Sequence, residues 1–145
     1  MKFTTKTEYG LVSLIYMARN GKADSWLTVK NIVQNEQFSA TYIEKILQKL
    51  KKADIVESHK GKEGGYSLRR PPAEITLKEI IDALEGGTYE VYCEPDLRKG
   101  IVCTHFGFCG VTAVWRKTKE MLDNFYASVT LEDLAKQEHE VQGKF

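Results

Sequence analysis

Three cysteines, Cys93, Cys103 and Cys109, lie close together in the chain, and it contains no others. The chain opens without the apolar core of a secretory signal, so we expect it to stay in the cytoplasm where it is made. Structural disulfides are rare in that reducing compartment, and clustered thiols there are more typical of metal binding or redox chemistry. The spacing of nine and then five intervening residues therefore predicts a metal or redox site in this segment.

A second group of residues could form hydrogen bonds to another molecule from one face of a helix. Ile43, Ile46, Leu47 and Leu50 follow helical spacing, while Thr41, Glu44, Lys45 and Gln48 repeat that spacing on the opposite side. Ser39 is the expected N-cap of this helix, and a shorter helix capped by Thr28 precedes it. Two helices joined by a tight turn, the second with a polar outer face, predict a helix-turn-helix with a recognition helix.

A basic hairpin follows the predicted recognition helix. Residues 55–58 and 66–68 read as strands around a glycine-rich turn that carries His59, Lys60 and Lys62. Residues 45–70 contain eight Lys or Arg and three acids in a chain whose net charge is only +1. A one-sided basic patch is what contact with phosphates requires.

These patterns predict how the chain would contact double-stranded DNA. Side chains near the start of the recognition helix would read base edges in the major groove, and the hairpin would act as a wing along the backbone or minor groove. The predicted DNA-binding residues are Ser39, Thr41, Tyr42, Glu44, Lys45, Gln48, Lys49, His59, Lys60 and Lys62, with Tyr42 and Lys49 assigned to phosphate or edge contacts.

The remaining elements position these groups. Leu11, Leu14, Ile15 and Ala18 predict a first helix, and the capping box at 76–79 with Gly86 predicts another. Hydrophobic periodicity is absent from 88–110, and a long helix is predicted over 111–129. We predict a mainly α fold with a small β-hairpin wing, divided into a winged helix-turn-helix domain (1–87), a cysteine loop (88–110), and a dimerisation helix with a mobile tail (111–145).

The long helix also predicts a homodimer. Its apolar side consists of Val114, Trp115, Thr118, Leu122, Phe125, Tyr126 and Val129. Such a helix, lying beyond a small domain, would expose more apolar surface than a monomer usually tolerates. Dimer symmetry then predicts a roughly palindromic DNA site with half-sites about one helical turn apart.

Several segments together resemble the iron-sulfur cluster regulator (IscR-like) family of winged helix-turn-helix transcription factors. The segments are residues 4–11, 42–50, 64–68 followed by Pro71 and Pro72, 75–77, 85–86, the cysteine loop, 114–115 and 130–134. Each is weak alone, but their order and spacing are specific and cover nearly the whole chain. The resemblance implies a homodimeric DNA-binding repressor with crossing C-terminal helices. It also implies a sensor of iron-sulfur, redox or nitric oxide status, although one family member represses cysteine metabolism without a cluster.

The same resemblance implies that Cys93, Cys103 and Cys109 hold an iron-sulfur cluster, either 2Fe-2S or 4Fe-4S. A fourth ligand is needed, and the histidine that serves some relatives three positions after the last cysteine is replaced by Thr112. Other relatives take a carboxylate from the N-terminal helix, which corresponds to Glu8, donated by the partner subunit. His105, which lies between two cysteines, is the second candidate. The first cysteine gap is longer here than in the best-known relatives.

Other interpretations remain open from the residues alone. Cys93, Cys103, Cys109 and His105 could form a zinc site, although their spacing matches no common zinc motif. The thiols could instead form an oxidation switch or be inert. The chain carries no recognisable catalytic set, so we do not expect an enzyme. A winged helix that serves only protein contacts is the other rival, but it would not need a basic wing.

Overall fold

The computed structural model describes residues 3–22, 25–34, 36–91, 93–94, 100, 103–105 and 107–145. Asn35 of the predicted interhelical turn and several positions of the cysteine loop lie outside the described residues. Over the described ranges, no helix combines the length and apolar character needed to cross a bilayer.

The order of elements is mainly helical with one small sheet. The elements are α1 (Thr5–Asn20), α2 (Val29–Val33), α3 (Ala40–Lys52), β1 (Val56–His59), β2 (Gly65–Leu68), a 3-10 turn (Pro72–Glu74), α4 (Leu77–Glu85), α5 (Gly110–Ser128), α6 (Leu131–Leu134) and α7 (Glu138–Gln142). β1 and β2 pair antiparallel, with Val56 opposite Leu68 and His59 opposite Gly65. The predicted fold class is confirmed.

The core lies between α1, α3 and α4. Leu14 of α1, Ile43 and Leu47 of α3, and Ile80 of α4 are fully buried. The buried stripe predicted for α3 is confirmed, whereas the buried face of α1 is centred on Leu14 and Met17 rather than on all four predicted positions. α1 packs against several elements, so residues on most sides of the helix are partly buried. Its apolar residues are therefore not confined to one narrow face.

Local hydrogen bonds fix the helix ends. Thr76 and Glu79 form the predicted capping box of α4, and Thr28 caps α2 together with Asn31. α4 ends at Gly86, whose φ of 87° is left-handed and favours glycine. These boundaries follow from short-range sequence, because each partner lies within four residues of the other.

The chain returns to the N-terminal domain after α5. Leu77 N–H donates to the Val129 carbonyl and Leu131 N–H donates to the Ile75 carbonyl, both at 2.8 Å. Val129 is 3% exposed and Leu131 is fully buried. Val129 was predicted on the apolar side of the dimerisation helix, and that placement is wrong because the residue lies in the core beside α4. Residues 129–131 therefore pack beside the start of α4, and the domain division at 111 stays a prediction.

The predicted mobility of the C-terminal tail from 137 onward stays a prediction, and in the structure this tail packs against α5 and α6. It contains α7, and the Phe145 ring packs edge-on against Phe125 with centroids 5.3 Å apart. The Lys144 ammonium pairs with the buried Asp133 carboxylate. This ion pair, strengthened by hydrogen bonds from Thr130 and Lys136, holds the pKa of Asp133 well below its usual range although burial opposes the shift.

Candidate nucleic-acid interface and cysteine loop

The recognition helix α3 presents a polar face to solvent. Ile43, Ile46, Leu47 and Leu50 are buried, so the intervening positions point outward. The exposed residues of this face are Ser39, Thr41, Tyr42, Glu44, Lys45, Gln48 and Lys49. Thr41, Glu44, Lys45 and Gln48 lie together within two turns, and they can both donate and accept hydrogen bonds.

Ser39 stands at the N-cap position of α3, but its side chain makes no capping hydrogen bond. The predicted side-chain cap is therefore wrong. The Tyr42 N–H, which a capping hydroxyl would accept, donates instead to the Ser39 carbonyl at 3.0 Å. The hydroxyl is not needed for the cap and lies on the exposed face of the helix.

Tyr42 connects the start of α3 to α1. Its ring meets Tyr9 edge-on at 5.8 Å between centroids, and Tyr9 stacks on Phe38 at 3.8 Å. Aromatic pairs in these geometries contribute about 0.5–1.5 kcal/mol beyond the area they bury. Tyr9 thus fixes the entry to the recognition helix from both sides of the turn.

The wing carries lysines at its tip. Lys60 and Lys62 are exposed in the loop between β1 and β2. Two other cations of the basic stretch form ion pairs within the protein. Arg69 pairs with Asp54 and Arg70 pairs with Glu79, each at 2.8 Å. The other cations of residues 45–70 lie on α3 and on the wing tip.

His59 is engaged inside the wing. Its Nε2 lies 2.8 Å from the Ser67 hydroxyl and 3.8 Å from the Glu57 carboxylate, and its ring stacks on Trp26. The structure therefore gives this residue intramolecular partners at the base of the wing tip. Lys60 and Lys62, which follow it, are the freer candidates for contact with DNA.

The cysteines are free thiols, and all three precede α5 in sequence. Cys93 and Cys109 are half-buried and Cys103 is exposed. Cys109 is the N-cap residue of α5, whereas Glu94 pairs with Lys119 at 2.9 Å. Lys119 lies ten residues after Cys109, about 15 Å along the helix axis at the standard rise. That ion pair and the Tyr89–Trp115 contact hold the start of the loop along the helix rather than at its N-terminus.

The predicted ligands suit an iron-sulfur cluster by their chemical type, but the described residues do not place them together. Free thiols supply the soft sulfur ligands that clusters require. Within the described ranges, however, no three Cys, His, Asp or Glu side chains come together as a metal-binding group. His105 lies near Phe108 with ring centroids 6.1 Å apart, and Glu8 is exposed on the first turn of α1. The donor set is suitable, but the described part of one chain does not bring it together.

Glu85, the last residue of α4, holds the start of α1, the helix that carries Glu8. Its carboxylate accepts hydrogen bonds from the Thr4 and Thr7 hydroxyls and lies 3.5 Å from Lys6 Nζ. Burial would raise the pKa of Glu85, but these hydrogen bonds and the lysine charge outweigh it and hold the pKa at about 2. Sequence reasoning missed this residue. Its signal was an acid in the last turn of a helix, where the helix dipole disfavours negative charge.

Two other residues were missed. Trp26 contacts the wing, and Met121 is 62% exposed on α5 beside Val114 and Phe125. The positions 111, 114, 118, 121 and 125 follow a spacing of three and four, which is typical of a helix that packs against another helix. That heptad spacing could have identified Met121 from the sequence.

Known proteins are similar to this chain in sequence and in structure. The Rrf2 family model, described as an iron-dependent transcriptional regulator, matches residues 3–137. This chain belongs to the Rrf2 family. Its predicted resemblance to IscR-like regulators is confirmed, and it is a winged-helix, DNA-binding transcription regulator.

Individual Rrf2 relatives are similar over most of their length. IscR from T. potens is 30% identical with a TM-score of 0.72, covering 98% of this chain and 91% of that one. CymR from B. subtilis, the global cysteine regulator of that organism, is 31% identical with a TM-score of 0.65, covering 93% and 96%. IscR from Xenorhabdus nematophila is 27% identical over 94% of this chain and 80% of its own length.

These Rrf2 relatives are transcription regulators, so the prediction that this chain is not an enzyme is confirmed. IscR and CymR are both similar to this chain to nearly the same degree. The family therefore establishes regulation of transcription.

Proposed function

We propose that this Rrf2 regulator acts as a homodimeric repressor that binds a roughly palindromic DNA site and responds to the state of an iron-sulfur cluster held by Cys93, Cys103 and Cys109. The observation that carries DNA reading is the exposed polar face of α3 beside a wing with Lys60 and Lys62 at its tip. On a duplex, Thr41, Glu44, Lys45 and Gln48 contact base edges, while Ser39, Tyr42, Lys49 and the wing lysines contact the backbone.

The exposed side of α5 supports the homodimer. Val111, Val114, Trp115, Met121 and Phe125 are between 38% and 62% exposed and lie on one stripe of the helix. A contiguous apolar stripe on a helix is stabilised when a second copy covers it. Two crossed α5 helices would then set the distance between the two recognition helices, and with it the half-site spacing.

The donor chemistry supports the cluster. The three thiols are free, and a homodimer brings a second set of side chains to the cysteine loop. Glu8 of the partner subunit is the proposed fourth ligand because it is exposed at the start of α1, and His105 is the second choice. A bound cluster supplies redox sensitivity and lability, and a weak oxygen ligand makes the cluster easier to lose.

The position of Glu8 supports a link between the cluster and DNA reading. Glu8 precedes Tyr9, whose ring packs against both Phe38 and Tyr42. A displacement of Glu8 would therefore move Tyr9 and, through the packed aromatic rings, the start of the recognition helix. Such a coupling predicts a change in DNA affinity when the cluster is gained or lost.

The test is anaerobic purification of the full chain, with iron and sulfide analysis and an absorption spectrum, followed by DNA binding before and after removal of the cluster. We expect iron and acid-labile sulfide together with visible absorption, and a change of at least tenfold in affinity for the operator. Zinc without sulfide would favour a Cys3His site, and a colourless protein with reversible oxidation would favour a thiol switch. A cluster whose removal leaves operator affinity unchanged would refute the proposed coupling.

A further inference from the structure

Trp26 contacts both arms of the wing although it is 45% exposed. Its ring lies flat on His59, at the end of β1, with centroids 4.7 Å apart and planes inclined by 12°. Its indole Nε1–H donates to the Glu63 carbonyl, just before β2, at 2.7 Å. One side chain thus holds the two ends of the loop that carries Lys60 and Lys62.

The backbone beside Trp26 is also paired with the wing. Leu27 N–H donates to the Tyr66 carbonyl, and Tyr66 N–H donates to the Leu27 carbonyl, both at 2.9 Å. A Cβ at Gly65 would come within 2.4 Å of the Leu27 carbonyl oxygen and 2.9 Å of Trp26 Cδ1. Only glycine allows this close approach. The linker that leads into α2 therefore pairs with β2 at Leu27 and adds one bridge to the sheet of the wing.

His59 is fixed from its other side as well. Its Nε2 contacts the Ser67 hydroxyl at 2.8 Å, and that hydroxyl also contacts Glu57 at 3.2 Å. The ring is thus confined between Trp26 and polar groups of both strands. An isolated two-stranded hairpin is only marginally stable in water, so these contacts decide whether the wing tip has one conformation.

We propose that Trp26 is a positioning residue that clamps the wing and holds Lys60 and Lys62 at a fixed distance from the recognition helix. The inference rests on the proposed contact between the wing and phosphates. Fixing two lysines before binding removes the entropic cost of ordering them on the duplex, so the clamp increases affinity without touching DNA itself.

The experiment is a double-mutant cycle on operator affinity across a range of salt concentrations. In the native chain, Lys60→Ala should reduce the slope of log affinity against log salt by about one. Trp26→Ala should weaken binding about 5- to 10-fold and reduce the slope by one to two, because both wing lysines lose their position. In the Trp26→Ala background, Lys60→Ala should then have little further effect.

Lys45→Ala provides the matched control. Lys45 lies on α3 outside the clamp, so its effect should be the same in both backgrounds. If Lys60→Ala costs as much in the Trp26→Ala background as in the native chain, the clamp is refuted. If Lys60→Ala changes neither affinity nor slope in the native chain, the wing contact in the proposed function fails, and the clamp fails with it.

A milder variant guards against loss of folding. Trp26→Phe keeps a ring on His59 but removes the donor to Glu63, and it should give the same pattern at a reduced size. Thermal unfolding of each variant identifies those that remain folded. A folded Trp26→Phe protein with native affinity, native salt slope and an undiminished Lys60 effect would refute the clamp even if Trp26→Ala does not fold.

Discussion

The Glu85 carboxylate at the end of α4 accepts hydrogen bonds from both the N–H and the hydroxyl of Thr4, the N-cap residue of α1. The two residues are 81 positions apart in sequence. The N-cap residue of the first helix is therefore held by the last residue of another helix, which immediately precedes the segment that leads to the cysteines. This contact ties the helix that carries Glu8 to the origin of the cysteine loop.

Replacing Glu85 with Gln should lower the free energy of unfolding at neutral pH by about 1–2 kcal/mol, because charged hydrogen bonds at a helix N-terminus are lost. The pKa of Glu85 is about 2 in the folded protein, below its ordinary value of 4.5. Its contribution is therefore complete above pH 4.5 and disappears as the pH falls toward 2.

Denaturant unfolding between pH 2 and 7 measures this difference. The gap between Glu85→Gln and the native chain should close as the pH falls through that window. Glu120→Gln is the control, since Glu120 is exposed on α5 and forms a solvent-exposed pair with Lys117. A gap for Glu85→Gln that does not change with pH would contradict the assigned role of its charge.

Replacing Gln48 with Ala should relax base preference at one position in each half-site, because a side-chain amide can make paired hydrogen bonds to adenine. The expected loss of discrimination is about 1–3 kcal/mol at that position. Binding to a library of single-base operator variants measures it. Lys49→Ala is the matched control and should weaken all sequences equally. Equal losses on every operator for Gln48→Ala would exclude direct readout by this residue.

Replacing Met121 with Glu should dissociate the homodimer, since a buried unpaired charge at the centre of an apolar helix stripe costs several kcal/mol. Sedimentation of the purified protein measures the mass, and operator binding should fall with it. Ala127→Glu places the same charge on another exposed side of α5 and should leave the mass unchanged. Dimers that persist in Met121→Glu at micromolar concentration would move the interface away from this stripe.

Replacing Glu8 with Ala should lower iron and sulfide content and shift the visible absorption, because the fourth ligand of the cluster is removed. His105→Ala, in the same preparation, tests the second candidate. Only the variant that lacks the true fourth ligand should lose iron, so the iron content distinguishes Glu8 on α1 from His105 in the cysteine loop. Native iron content and an unchanged spectrum in Glu8→Ala would transfer the role to His105 or to another group.

The features predicted correctly depend on residues that are near one another in sequence. The buried stripe of α3 follows from helical periodicity, and the start of α4 follows from Thr76 and Glu79, which lie three residues apart. The strands of the wing follow from a glycine-rich turn between two short apolar runs. The family was recognisable for the same reason, because its segments occur in a specific order along the chain.

One error concerns a local helix cap, and the other a contact between distant segments. Ser39 was expected to cap α3 with its hydroxyl, but backbone geometry satisfied the same N–H. Val129 was placed on the dimer face because helical periodicity cannot show that the chain turns back to α4. The stacking of Trp26, from the α1–α2 linker, on His59 was not predicted, and the contact of His59 with DNA stays a prediction.

The sequence alone determined helices α1 to α5, the two strands, and which faces of α3 and the wing are polar, because these depend on periodicity and on hydrogen bonds within a few residues. Only the tertiary structure decided which partners Glu85, Trp26 and Val129 have. Each of these contacts joins segments tens of residues apart, and its formation depends on how the whole core packs rather than on any local pattern.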